Sequence, residues 1–188
     1  MKHVFLLLLS VLTLCSCAAQ EPVTIASKDF SENRILAHMF TILARESGIQ
    51  VKTAIPYGNT FDLQKAIKDG KVDAYPEYTG TGLSMMGMTA MSNRDKAMSA
   101  VRDIFSRYDI RWLQRLGFDN SYVMVMRPDM LARMEVETIS ELADKGEKVT
   151  IGVEQEFMAR PVDGFPALIR RYGFNPEPEA VVVDSRVA

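Results

Sequence analysis

Twice between residues 23 and 75 the chain leaves a β-type run, passes through an amphipathic helical segment and returns to a β-type run. Residues 23–26 alternate as a strand, residues 51–55 form the second run and residues 72–75 the third. After the first run, Asp29 and Glu32 have the spacing of a capping box. Ile35, Leu36, Met39, Phe40 and Leu43 then share one helical face, and Gly48 marks the stop. A shorter helix over 61–69, stopped by Gly70, joins the second run to the third. Strand–helix–strand units of this kind build a parallel sheet with helices packed on its faces, so the fold class is α/β. Such sheets bind ligands beyond the carboxyl ends of their strands. Loops 27–30, 56–60 and 76–82 lie there.

The remainder continues the mixture. A helix is predicted over 93–108, strands over 110–113 and 121–126, and a helix opened by Pro128 at its first turn. A short helix over 138–143, a strand over 149–153, a helix over 166–172 closed by Gly173 and a last strand over 180–184 follow. The break at 115–120 is the natural boundary between two lobes.

The first residues read as an export signal: Lys2 is the positive start and residues 4–14 are an apolar run too short to span a bilayer. Leu14-Cys15-Ser16-Cys17 resembles the bacterial lipoprotein box, which implies a signal peptide over 1–16, lipid on Cys17, a polar tether over 17–22 and attachment to a membrane from outside the cytoplasm. Ordinary cleavage near Ala18 or Ala19 is the alternative. Cys15 and Cys17 are the only cysteines, so no disulfide is expected to staple the mature fold. The net charge of −2 argues against a nucleic-acid partner, which calls for a basic patch.

Asp73-Ala74-Tyr75-Pro76-Glu77-Tyr78-Thr79-Gly80-Thr81-Gly82 runs from the third strand into the next helix. Its glycines allow close backbone approach to a ligand, and a helix start favours an anionic group. Tyrosine faces attract a cation, above all a quaternary ammonium that has no N–H to donate. A corner with both chemistries suits a zwitterion such as a betaine; a plain turn with surface tyrosines is the alternative.

Four blocks together resemble the substrate-binding proteins of ABC importers for quaternary amines. They are Ser27-Lys28-Asp29-Phe30-Ser31-Glu32-Asn33, Tyr75-Pro76-Glu77-Tyr78-Thr79-Gly80-Thr81, Gly117-Phe118-Asp119-Asn120-Ser121-Tyr122, and Glu156-Phe157 with Arg160, Asp163 and Gly164. The resemblance spans residues 23–184 and implies a two-lobed type II periplasmic-binding-protein fold, with lobe 1 over 23–116 and lobe 2 over 117–188. It implies a ligand such as glycine betaine, choline or carnitine between the lobes, and delivery to an ABC permease with its ATPase. Tyr78 and Tyr122 would be walls of an aromatic cage, and Asn120 would contribute beside it. Thr81 and Lys28 would hold the anionic end from the first lobe and Arg160 from the second. Asn33 stands where the family commonly has glutamine, which leaves its role open. Trp112 and Phe118 are read as packing residues.

The family pattern continues beyond the point where this chain stops, so the second lobe is expected to be incomplete. The chain is expected to be a fragment rather than a short natural variant, to be less stable than a full family member and to bind weakly or not at all. A lipoprotein or sensor module that binds a protein partner is the second reading. An enzyme is disfavoured: His3 and His38 are the only histidines, and no metal-ligand spacing, nucleophile elbow or phosphate loop occurs. No metal or cofactor is expected.

Overall fold

The computed structural model of the protein describes residues 21–184. The expected signal segment and the lipidation site at Cys17 lie outside the described residues. Strand β1 (Val23–Lys28), helix α1 (Ser31–Glu46), strand β2 (Val51–Gly58) and helix α2 (Thr60–Lys68) follow in order. β1 and β2 pair in parallel, from Val23 opposite Val51 to Lys28 opposite Gly58, with an irregular step between Ala26 and Lys28. The expected third strand is reduced to one parallel bridge between Ile25 and Ala74. It is held by the Ala26 N–H on the Ala74 carbonyl at 2.9 Å and the Asp73 N–H on the Thr24 carbonyl at 3.0 Å. Pro76 follows two residues later and has no N–H with which to extend the ladder.

Asn59 starts α2 with a full capping box: its side chain accepts from the Phe61 and Asp62 N–H groups while Asp62 accepts from its own N–H. α2 then lays Leu63 and Ala66 against Ala26 and Val72, with Ala54 and Tyr75 beside them.

α1 departs from expectation in two ways. Phe30, not Asp29, occupies the cap position, and no side chain caps the helix. Asp29 lies 4.0 Å from Arg34 at the surface, and Glu32 turns toward residues far along the chain. The buried line of α1 is Asn33, Ala37 and Thr41. Ile35, Met39 and Leu43, expected to face inward, are exposed. Asn33 fixes this rotation. Its side-chain oxygen accepts the Lys28 N–H at 2.8 Å and its amide donates to the Pro76 carbonyl at 2.9 Å. A buried amide must keep such partners, so the helix is held with Asn33 inward, Leu36 and Phe40 half-buried and Ile35, Met39 and Leu43 outward.

Helices α3 (Thr79–Met85) and α4 (Arg94–Phe105), and a 3₁₀ turn at Ser106–Tyr108, complete the first half. Asn93 caps α4 by accepting from Asp95 and Lys96. Leu83 packs with Ala97, Met98, Val101 and Phe105. Trp112 meets Phe105 edge-on at 5.4 Å between centroids, and it sits so close to α3 that a Cβ on Gly82 would lie 2.7 Å from the indole. Gly82 therefore makes room for a tryptophan rather than for a ligand. The stretch 110–113 is not a strand. Its carbonyls at Trp112 and Leu113 accept instead from Arg102, each at 3.1 Å.

The second half contains α5 (Pro128–Met134), α6 (Ile139–Asp144), β3 (Thr150–Glu154), α7 (Gln155–Ala159), α8 (Phe165–Tyr172) and β4 (Glu179–Val183). β3 and β4 run parallel in continuous register from Thr150–Glu179 to Glu154–Val183. Met134, Val136, Leu142, Ala143 and Phe174 form the core. The expected strand over 121–126 has no ladder among the described residues. Met124 and Met126 pack on the core while Val123 and Val125 are exposed. It has a strand's alternation without a strand's partner. Among the described residues no helix is long and apolar enough to cross a membrane.

Candidate ligand-binding site

The carboxyl end of β1 delivers Lys28 to the bridge that follows Ala74. Its Nζ donates to Glu77 Oε1 at 2.6 Å, with only 3% and 7% of the two side chains exposed. The Tyr78 N–H donates to the same oxygen at 2.8 Å. Sequence reasoning gave Lys28 the anionic end of a ligand; in the structure its charge is engaged by the chain's own carboxylate. The Lys28 Nζ also lies 5.3 Å from the centre of the Tyr78 ring. Burial first, then the negative charge of Glu77, push the neighbouring Tyr75 phenol far above its ordinary value.

Tyr78 is half-buried and stacks on Phe30 at 6.1 Å. Its hydroxyl donates to Glu32 Oε1 at 2.6 Å, and the Asn120 amide donates to that same oxygen at 3.0 Å. One carboxylate oxygen thus joins the start of α1, the corner before α3 and the segment that leads to Tyr122. Burial first, and then the bond to Glu32, raise the Tyr78 phenol well above its usual range.

Two residues beyond Asn120, Tyr122 forms the second aromatic pair, with Phe157 of α7 at 4.6 Å. It is 51% exposed. Partial burial, followed by the charges of Glu156 and Glu154, pushes its phenol up to about 12. The Arg160 guanidinium lies 5.8 Å from the ring centre.

Arg160, just past α7, is buried. Its Nε donates to Asp163 Oδ1 at 2.9 Å and Nη2 donates to the other oxygen of Asp163, a two-point grip. Nη1 donates to Thr81 Oγ1 at 3.2 Å and lies 3.6 Å from Glu156. Burial works against the guanidinium's charge, but Asp163 outweighs it and holds the group above its ordinary value. Burial likewise works against the Asp163 carboxylate, and the bonds from Arg160 and Ser84 outweigh it and hold that group low. Gly164 is obligatory at the end of this loop, because a Cβ there would stand 2.2 Å from the Phe157 carbonyl oxygen.

Hydrogen bonds from the first half close on this loop. Ser84 donates to Asp163 at 2.8 Å, and Thr60 donates to both oxygens of Glu156 at 2.9 Å. Thr81, Tyr122 and Arg160 therefore come together at one edge, and Lys28, Tyr78 and Asn120 at another. Phe30, Phe157, Glu32 and Glu156 were not assigned site roles from sequence, although all four lie inside the motif blocks. Asn33, whose role was open, is a buried structural amide. Trp112 packs in the core of the first half as expected, and Phe118 is exposed.

The substrate-binding domain of ABC-type glycine betaine transport systems matches residues 21–187. The chain belongs to this family. Among relatives of this glycine betaine substrate-binding domain, the carnitine transport binding protein OpuCC of Listeria monocytogenes is 29% identical over 178 residues, covering 89% of this chain and 58% of that protein. The glycine betaine-binding protein YehZ of Escherichia coli is 26% identical over 164 residues, covering 84% and 53%. The ergothioneine transport permease/ergothioneine binding protein EgtU of Helicobacter pylori is 28% identical over 174 residues, covering 91% and 31%. The chain thus spans little more than half the length of the first of these relatives.

Solved structures show the fold. A glycine betaine/carnitine/choline ABC transporter structure superposes with a TM-score of 0.60 at 22% identity, over 85% of this chain and 61% of that one. Apo YehZ gives 0.55 at 22% identity, over 87% and 62%. The expected two-lobed α/β binding-protein fold is the fold of this glycine betaine-binding family. Its members are binding proteins of transport systems rather than enzymes.

Proposed function

We propose that the chain captures a quaternary-ammonium solute (glycine betaine, choline or carnitine) between two lobes, bounded at 23–116 and 117–188, and presents it to an ABC permease with its ATPase. The observation that carries this reading is the pair of aromatic contacts, Phe30 with Tyr78 and Tyr122 with Phe157, linked through Glu32 and Asn120. A quaternary ammonium offers no hydrogen bond, so ring faces must hold it, at about 0.5–2 kcal/mol each. Tyr78 and Tyr122 are the walls; Asn120 and Thr81 supply polar contacts. Lys28 and Arg160 border the site from the two lobes. Attachment through a lipid on Cys17 would keep the protein outside the cytoplasm, in the periplasm or at the cell surface.

Thermal unfolding of the protein with millimolar glycine betaine, choline and carnitine tests this. A ligand that binds only the native state raises the midpoint by mass action. Because the chain spans little more than half the length of its first relatives, a small ligand-selective rise is expected, one that Tyr122→Ala abolishes. A cooperative transition that none of the three moves would sink the reading. The exposed line of Ile35, Met39, Ile42 and Leu43 on α1 favours a second reading, a lipoprotein that docks a protein partner. Copurification of a partner other than a permease would support it.

A further inference from the structure

From Gly117 to Met126 no backbone N–H or carbonyl takes part in a backbone hydrogen bond among the described residues. The side chains of this stretch nevertheless alternate as a strand's do. Met124 and Met126 pack on the core of the second half, and Tyr122 meets Phe157. Val123 and Val125 stand on the other side, 79% and 86% exposed, the most open large hydrophobics of the described residues. Side chains two apart in an extended chain share a side, so Asp119, Ser121 and Arg127 continue that outward line. The Ser121 hydroxyl donates to Asp119 at 2.6 Å, which keeps those two together. The two charges at the ends of the line are tied only to exposed neighbours in their own chain, Asp119 to Arg94 at 3.1 Å and Arg127 to Asp129 at 3.2 Å. Pairs of that kind hold little. An unpaired strand with an apolar side is a template for a strand from another chain.

We infer that this line is a two-fold interface: a second copy of the chain lays the same segment alongside it, antiparallel, with Val123 on the axis. Backbone hydrogen bonds form the ladder, and a self-complementary patch closes on itself as a pair. The charges choose both the partner and the register. With Val123 opposite Val123, each Asp119 faces the Arg127 of the other copy, each Val125 faces Ser121, and four valines meet on one side. A slip of two residues one way sets Asp119 opposite Asp129. A slip the other way sets Val125 opposite Asp119. Like charges, or a carboxylate against a valine, are unfavourable between facing positions. A strand of unrelated sequence gains the same backbone bonds without the matched ends, so a second copy is the occupant that fits. Tyr122 contacts Phe157 and Asn120 contacts Glu32, both away from this line, so the pairing is separate from solute capture and does not depend on it.

Sedimentation equilibrium of the 188-residue chain tests this. A monomer–dimer equilibrium is expected, a weak one because so short a contact buries little surface. Asp119→Arg and Arg127→Asp, neither of them in the solute site, each set like charges opposite one another and are expected to weaken the dimer about tenfold. Mixing the two variants in equal amounts restores opposite charges at both ends, and the mixture is expected to form dimers of wild-type strength. Val123→Lys, which meets itself on the axis, is expected to weaken the dimer about a hundredfold. A monomer at every concentration up to about 1 mM overturns the inference. A dimer whose strength neither charge reversal changes also overturns it, because the contact then lies elsewhere, as on the exposed line of α1. A mixture as weak as its components does the same, and so does assembly beyond two copies, since a two-fold contact closes.

Discussion

Lys28 and Arg160 border the candidate site with the same formal charge, and they are held in opposite ways. Lys28 is the last residue of β1 and reaches a carboxylate 49 positions away, in a pair almost sealed from water. Arg160 is in a loop and grips a carboxylate three positions away, so that pair is local. It is the rest of the Arg160 environment that is distant: Thr81 on its Nη1, Ser84 on its Asp163, and Thr60 on its neighbour Glu156. The first cation fixes one half internally. The second is fixed within its own loop and touches the other half through hydroxyl groups. A hydroxyl contact is replaced by water at modest cost, whereas a buried charge without its partner is not. The Lys28 pair therefore belongs to the frame, and the contacts of the Arg160 loop with the first half are the cheaper ones to break.

Removing Glu77 should break the comparison most sharply. Glu77→Ala leaves the Lys28 charge buried and alone, and is expected to cost about 3–5 kcal/mol in a denaturant unfolding measurement. Lys28→Met combined with Glu77→Gln removes the charges but keeps an acceptor for the Tyr78 N–H, and should recover much of that loss. If the double variant is as unstable as Glu77→Ala, the pair does not act as a frame.

Asp163→Asn should cost less, about 2 kcal/mol, because Arg160 keeps Thr81 and Glu156 within reach. This variant also carries a pH signature. The folded state holds the Asp163 carboxyl low, so its contribution to stability is fully present above the ordinary aspartate value of about 3.9 and is lost as pH falls through the lowered folded value. Unfolding midpoints measured between pH 6 and pH 2.5 should fall more steeply in this window for the wild-type chain than for Asp163→Asn. Parallel curves would remove Asp163 from the account.

The hydroxyl contacts come next. Thr60→Ala and Ser84→Ala, each losing a bond to a carboxylate, should each cost about 1.5 kcal/mol by the same measurement, and together should loosen the two halves more than either half's own core. Protection of α2 and α7 amides from hydrogen exchange, compared in the double variant, reads that distinction directly. At the far end of the scale, Lys65→Ala at the exposed pair with Asp69 should leave the unfolding midpoint unmoved, since such pairs contribute little in water.

The sequence made the elements far easier to read than the surfaces they bury. Periodicity assigned Ile35, Leu36, Met39, Phe40 and Leu43 to one inward face of α1, but only Leu36 and Phe40 are even half-buried and the other three are exposed. A count of apolar residues carries no knowledge that Asn33 will be locked between the Lys28 N–H and the Pro76 carbonyl. In the same way the alternation at 121–126 was legible, but a strand also needs a neighbour, and periodicity does not supply one. The β1–α1–β2–α2 unit and the end strands β3 and β4 were legible because their helices and strands pair within the described chain. At the site, the motif blocks located the residues and their charges. The pairing of Arg160 with Asp163 and Glu156, three and four positions away, was open to a reading of spacing. What the blocks could not show was that Lys28 would face Glu77, since charge pairing across 49 positions follows from the fold and not from spacing.

The chain holds a single tryptophan, Trp112, and its indole lies against Gly82, next in sequence to the Thr81 hydroxyl that meets Arg160. Should α3 move against Trp112 as the proposed cleft fills or empties, the surroundings of that one fluorophore would change with it. Its emission would then be a built-in optical gauge of occupancy, readable in the unlabelled protein at concentrations far below those that calorimetry requires.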